Sequence, residues 1–221
     1  MDYEAIILCG GEGWRLKPDT WTLKPLLEIS EKETLLDRQI RWLLEHGFKN
    51  IILASNRSFS DSTFFTNPKV QLCIERRTLG TGGAVKRAVS LVNVEKFYVM
   101  NVDDIVFYDP QDLYEKADAG AAILLARPQM PFGRVTMEKD LVAAFEHRPF
   151  LQMWANAGHY VFSKEIVTRY FPEEGDFEQT TMQQIAESKC LKGLPYDGAW
   201  LALNTMKDLM RIREYFATLK R

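Results

Sequence analysis

Short apolar runs of strand length alternate with amphipathic stretches of helix length through the first half of the chain, and this alternation restricts the fold more than any other feature. Ala5–Cys9 is such a run; a glycine loop follows, then Leu35–His46, where Leu36, Ile40, Leu43 and Leu44 recur at helical spacing and Gly47 marks the end. Ile51–Ala54, Val70–Ile74 and Phe97–Met100 read as further strands, with an Ala/Val-rich helix over about Gly83–Val92. The order β-α-β-α-β implies a doubly wound α/β architecture with a mixed, mostly parallel sheet and helices on both faces. Ligands of such sheets sit beyond the carboxyl ends of the strands. Three polar or glycine-rich segments fall at such ends: Gly10–Arg15, Thr78–Gly83 and Asn101–Asp104.

The second half is less regular. Ala121–Ala126, Arg134–Met137, Leu141–Phe145 and Ala157–Phe162 read as strands, the middle ones flanked by a Pro-Phe-Gly turn and a Lys-Asp turn. Helices fit Lys164–Tyr170, Glu178–Ser188 and Lys207–Leu219. With no repeat, low-complexity tract or linker in 221 residues, one domain over 1–221 is expected, the second half forming walls of a pocket over the parallel sheet. The chain ends soon after its last helix, so no second catalytic domain is expected.

A formal net charge of -2 gives no general attraction to nucleic acid or anionic membrane, so any phosphate must be held locally. Cys9, Cys73 and Cys190 are widely spaced without a CxxC pattern and read as reduced thiols. The N-terminal apolar run is too short for a signal peptide or a membrane span, so a cytoplasmic protein is expected.

Gly10-Gly11-Glu12-Gly13-Trp14-Arg15 follows the first strand, where side-chain-free backbone can approach a polyphosphate; taken alone, it also reads as a tight strand exit. The Walker pattern fails for want of Lys-Ser or Lys-Thr, and the dinucleotide pattern fails because Leu16 stands at the third glycine position. Arg15 and Lys24 place two cations at the rim of this loop, which suits a triphosphate. Asp103 and Asp104 end the strand opposite, where one or two carboxylates with water and substrate phosphates suit Mg²⁺, and where a cap or turn is the plain structural alternative.

Leu8-Cys9-Gly10-Gly11-Glu12-Gly13-Trp14-Arg15-Leu16 followed by Lys24-Pro25-Leu26-Leu27 resembles the signature of the sugar-phosphate nucleotidylyltransferases. The resemblance continues in Leu79-Gly80-Thr81-Gly82-Gly83-Ala84, Asn101-Val102-Asp103, Phe132-Gly133, Phe145–Pro149, Asn156-Ala157-Gly158 and Gly198–Thr205. It implies a Rossmann-like nucleotide-diphospho-sugar transferase fold, with a nucleotide-binding half of about 1–110 and a sugar-binding half of about 111–221. It also implies transfer of a nucleotidyl group from a nucleoside triphosphate to a sugar-1-phosphate. Arg15, Lys24 and Arg148 would be the catalytic cations, and Asp103 the ligand of Mg²⁺. Leu8, Gly10, Gly11, Gly13, Leu79 and Gly80 would bind nucleotide, and Gly133, His147, Asn156 and Glu178 would line the sugar. No nucleic acid or membrane partner is implied; a homo-oligomer built through exposed patches fits, with no interface placed.

The chain departs from that pattern at several positions. Ala202 stands where the family commonly has a second metal-binding Asp, Trp14 replaces a small hydroxyl residue, and Leu23 replaces a proline. His147 and Arg148 replace Glu and Lys; Arg148 keeps the positive charge with a different shape. Two alternatives therefore stand beside the main reading: a catalytically silent nucleotide-sugar sensor, favoured by Ala202, and a transferase for a non-sugar phosphate such as phosphocholine.

Overall fold

The computed structural model describes residues 2–11, 13–59 and 63–219; Glu12 of the glycine loop lies outside them. In chain order the elements are β1 (Tyr3–Leu8), β2 (Glu28–Ser30), β3 (Glu33–Thr34), α1 (Leu35–Glu45), β4 (Phe48–Ser55), β5 (Val70–Ile74), α2 (Gly80–Ala88), β6 (Lys96–Asn101), β7 (Asp104–Ile105) and α3 (Pro110–Lys116). There follow β8 (Ala121–Ala126), β9 (Arg134–Glu138), β10 (Leu141–Glu146), β11 (Ala155–Ser163), α4 (Lys164–Tyr170), α5 (Thr181–Glu187), β12 (Leu191–Tyr196), β13 (Leu201–Ala202) and α6 (Met206–Leu219).

Helix boundaries follow local chemistry. Thr34 and Asp37 form a reciprocal capping box at the start of α1, which ends at Gly47 with φ 82°. Asp109 caps α3, with Pro110 at its first position, and the Ser163 hydroxyl accepts from the Ile166 N–H to cap α4.

Seven strands form the central sheet in the order β12-β8-β11-β6-β1-β4-β5. Within it β11 runs antiparallel to both neighbours, and the other pairings are parallel, as expected for a mixed, mostly parallel sheet. Leu35, Leu36, Ile40 and Leu43 of α1 pack on one face with Leu113 of α3 and Leu209 and Ile212 of α6. Ala84, Val85 and Ala88 of α2 cover the other face with Ile166 and Val167 of α4 and Ile185 of α5. The sheet is therefore doubly wound, and its buried strands read as continuous apolar runs because both faces are covered.

Three expectations need correction. The second half does not merely wall a pocket, because β8, β11 and β12 extend the sheet itself. The helix expected over Gly83–Val92 begins at Gly80 and ends at Ala88, with a 3-10 turn over Val89–Leu91. The helix expected from Glu178 begins at Thr181, because Asp176 and Glu178 are engaged by Thr81 at the start of α2. Among the described residues no helix is long and apolar enough to cross a membrane.

Candidate active site

Parallel register sets the site. Leu8 at the end of β1 lies beside Ala54 of β4 and Asn101 of β6, and Ser55 lies beside Ile74 of β5, so four strands end level with one another. A cavity of about 350 Å³ opens at that edge. It is lined by Leu8, Gly10, Gly11, Gly13, Lys24, Gly80, Asp103 and Glu178 of the expected residues, and also by Glu75, Thr78, Thr81 and Asp176.

The glycines serve different ends. Gly10 packs against the end of β4, where a Cβ would lie 3.1 Å from the Asn56 nitrogen; Gly11 faces open space, and Gly13 adopts φ 63°. The loop can thus present backbone to a phosphate while lying close on the sheet.

Lys24 and Asp103, 79 residues apart in sequence, form an ion pair of 2.8 Å at the cavity wall. Each neutralises the other, and an arriving phosphate or cation competes for one of them. Asp103 is partly exposed, and its second carboxylate oxygen has no hydrogen bond among the described residues. Asp104 is different: Trp200 Nε1 donates to Oδ1 at 2.8 Å and Asn101 Nδ2 to Oδ2 at 3.3 Å. Burial, and then the neighbouring Asp103 charge, push its carboxyl up to about 8. Gly158, at φ 75°, passes so close that a Cβ would overlap the Asp104 carboxylate. Asp104 is thus enclosed by protein, and Ala202 lies directly opposite it across the β7–β13 pair. Of the adjacent acids, only Asp103 has a donor set open to Mg²⁺.

The Asp103 backbone is clamped from beneath. Gln39, fully buried in α1, donates from Nε2 to the carbonyls of Val102 (2.9 Å) and Asp104 (2.8 Å), one on each side of Asp103. Arg38 donates to the Gln39 carbonyl at 2.6 Å and to Val106 O at 2.6 Å, which fixes the orientation of the amide. His159 adds Nε2 to Asp104 O at 2.9 Å, while its Nδ1 pairs with the Tyr98 hydroxyl at 2.8 Å. Burial pushes this imidazole down to about 3, so it is neutral.

At the far wall the loop after α4 closes on the start of α2. The N–H groups of Gly82 and Gly83 donate to Gly175 O, Gly175 N–H donates to Leu79 O, and Thr81 N–H donates to Asp176. A Cβ at Gly80 would lie 2.6 Å from the Gly175 carbonyl carbon, so glycine is required there by a close approach as well as by φ 76°. Leu79 does not line the cavity: its N–H is donated to Glu75 Oε2 at 3.0 Å and its carbonyl is occupied. Glu75, buried beside Thr78, has its carboxyl raised chiefly by desolvation, as has Glu178. Sequence reasoning passed over Glu75, although a carboxylate in the residue after a parallel strand stands where ligands are expected.

The remaining expected residues lie outside the cavity lining. Arg15 is exposed and donates to Asn204 Oδ1 at 3.0 Å. Gly133 makes room for the Phe145 ring, which a Cβ would overlap. His147 is exposed; Arg148, half-buried at φ 51°, has a buried Nε with no hydrogen-bond partner. Asn156 donates to the Tyr160 hydroxyl at 2.6 Å and accepts from Gly158 N–H.

Comparison with known proteins adds the family. A family model described as nucleotidyl transferase matches residues 4–218. The chain is 34% identical over 220 residues to D-glycero-alpha-D-manno-heptose 1-phosphate guanylyltransferase of Campylobacter jejuni, covering 93% of this chain and 96% of that one. It is 30% identical to the mannose-1-phosphate guanylyltransferase catalytic subunit beta of Danio rerio over 94% of its length, and spans 62% of that relative. The crystal structure of HddC from Yersinia pseudotuberculosis complexed with GMP-PN superposes with a TM-score of 0.77 at 26% identity, covering 97% of this chain and 99% of that one. With a glycine loop, a Lys–Asp pair and a glycine-opened helix around one cavity, and with this similarity along nearly its whole length, the chain belongs to the sugar-phosphate nucleotidylyltransferases of the nucleotidyl transferase family.

Proposed function

We propose that the chain transfers a guanylyl group from GTP to a mannose- or manno-heptose-type sugar-1-phosphate, with Mg²⁺ bound through Asp103. The observation that carries the choice of base is Glu75. An ionised carboxylate only accepts hydrogen bonds. Guanine presents two adjacent donors, N1–H and N2–H, on one edge, whereas adenine, cytosine and uracil each offer a single donor beside an acceptor. On this reading Glu75, a buried carboxylate on the cavity lining, faces the base, which matches guanine and leaves the other bases mismatched. The Campylobacter and Danio relatives are guanylyltransferases, in agreement with this base.

An oxygen of the sugar-1-phosphate attacks the α-phosphorus of the triphosphate in line. The bond from that phosphorus to the oxygen bridging the α- and β-phosphates breaks, and pyrophosphate leaves with the electron pair. No covalent enzyme intermediate is needed, so the residues align two polyanions and offset their repulsion. Lys24 turns from Asp103 to the α-phosphate, and Arg15, held by Asn204, serves the leaving phosphates. The unpaired, half-buried Arg148 receives the sugar phosphate. Mg²⁺, when bound, supplies charge neutralisation between phosphates.

The test is pyrophosphate release over a grid of nucleoside triphosphates and sugar-1-phosphates, with and without Mg²⁺. GTP with a manno-configured phosphate is the expected pair, and Glu75→Gln lowers the preference for GTP by roughly 10–100-fold, about the cost of one lost charged hydrogen bond. Equal use of all bases by the native chain would remove the guanine assignment. Absence of turnover with GTP binding intact would favour the silent-sensor reading that Ala202 supports.

A further inference from the structure

Lys24 and Asp103 each occupy the place of the other's ligand. Lys24 Nζ lies 2.8 Å from Asp103 Oδ2, and the two side chains are only 16% and 28% exposed. An ammonium thus sits where the carboxylate would take a cation, and a carboxylate oxygen sits where the ammonium would take a phosphate oxygen. The two backbones are set independently. Lys24 opens the 3-10 turn Lys24–Leu26, anchored by buried Pro25, and Asp103 follows β6 beside the Val102 carbonyl that Gln39 holds. Only the side chains need part when a ligand enters.

Asp104, the adjacent carboxylate, takes over neither task. It is engaged by Trp200 and Asn101 and pressed by Gly158, and the residue facing it across the β7–β13 pair is Ala202, whose methyl carries no charge. Among the described residues no group of three or more His, Cys, Asp and Glu side chains could hold a metal ion. A divalent cation alone therefore meets one carboxylate already neutralised by an ammonium, and a triphosphate alone meets a lysine already neutralised by a carboxylate. Bound singly, either ligand breaks the pair and strands a partly buried charge; bound together, they give both residues a new partner. We infer that the Lys24–Asp103 pair is an autoinhibitory contact that couples the two ligands, so that triphosphate and metal each bind weakly alone and strengthen one another. Such coupling is reciprocal and commonly about 5–150-fold. The inference rests on the roles proposed above for Lys24 and Asp103, and not on the base or the sugar.

Calorimetric titration of the full chain with GTP, in EDTA and in Mg²⁺, tests it, with inorganic tripolyphosphate as a probe that has no base. The native chain should bind at least about tenfold more tightly in Mg²⁺. Asp103→Asn, close to isosteric, deletes the competing charge. In EDTA it should bind triphosphate about tenfold more tightly than the native chain, because Lys24 is released in advance, and it should lose most of the gain from Mg²⁺. Lys24→Met should weaken binding in both buffers, while Lys24→Arg keeps the pair and with it the dependence on Mg²⁺. Circular dichroism checks that the variants remain folded. A purely structural pair would leave Asp103→Asn with equal or weaker metal-free binding. That result, a native affinity indifferent to Mg²⁺, or a gain from Mg²⁺ as large in Asp103→Asn as in the native chain would each overturn the inference. The same shifts seen with tripolyphosphate but without a preference for GTP would remove only the base assignment. Failure of both probes to bind the native chain in Mg²⁺ would overturn the inference together with the proposed function.

Discussion

The two sides of this molecule are finished to different degrees. Around the nucleotide cavity the functional groups are held in place: Lys24 is paired, Gln39 clamps the Asp103 backbone, and Asp176 and Gly175 bind the start of α2. Beyond it, on the β9–β10 side, His147 is exposed, Arg148 has an unpaired nitrogen, and a full sheet face is bare. The difference teaches that the groups around the cavity are positioned by contacts within the fold, whereas those on the β9–β10 side are left exposed or unpaired by it.

The largest effect expected from that contrast is on chemistry. Asp103→Ala should lower kcat by roughly 100-fold or more, since it removes both the proposed Mg²⁺ ligand and the partner of Lys24; steady-state pyrophosphate release measures it. Activity close to native would mean that the pair belongs to the fold and not to the reaction.

Next is stability at the ordered side. Gly158→Ala imposes a side chain at φ 75° against the Asp104 carboxylate, and should cost about 3 kcal/mol or more, read from denaturant midpoints. Gln39→Leu leaves the buried Val102 carbonyl and Arg38 Nη1 without their partner, and should cost about 2 kcal/mol while lowering kcat more than it changes GTP affinity. If GTP affinity falls and kcat does not, the clamp supports binding alone.

The contrast sharpens at Arg148. Arg148→Ala should raise KM for the sugar phosphate about tenfold and leave GTP binding, measured by calorimetry, unchanged. A matching loss of GTP affinity would join the two sides into one site.

A further effect, confined to acid pH, is a proton. His159 is held neutral with its pKa pushed down to about 3, against an ordinary value of 6.5 in the unfolded chain. Between those values the unfolded state binds the proton and the folded state does not, so stability is fully present above about pH 6.5 and falls as the pH drops towards 3. Denaturation titrated over that range should show this uptake of one proton, reduced in His159→Gln.

The sequence made the doubly wound plan legible because Ala5–Cys9, Ile51–Ala54 and Phe97–Met100 are buried on both faces and read as unbroken apolar runs. It did not disclose β12, whose Gly193 and Pro195 argue against a strand interior; an edge position in the sheet tolerates both. The short pairs β2–β3 and β7–β13 are too brief for any period to register. Gly80 and Gly82 read as loop because glycine disfavours helix, yet with Gly83 they open α2, where Pro172, Glu173 and Gly175 leave no room for a side chain. In the site, the loop glycines, Lys24 and Asp103 were legible by motif. Their ion pair and the Gln39 clamp were not, because contacts across 63 to 79 residues leave no local pattern.

Gly175, Asp176 and Glu178 reach back across some ninety-five residues to hold the start of α2. During synthesis on a ribosome the helix that borders the cavity is therefore made long before the loop that secures it. Translation must pass residue 178 before the nucleotide pocket can close, so a nascent or prematurely stopped chain carrying every glycine motif would still lack a finished wall. Substrate thus meets a complete cavity wall only on chains already extended past residue 178.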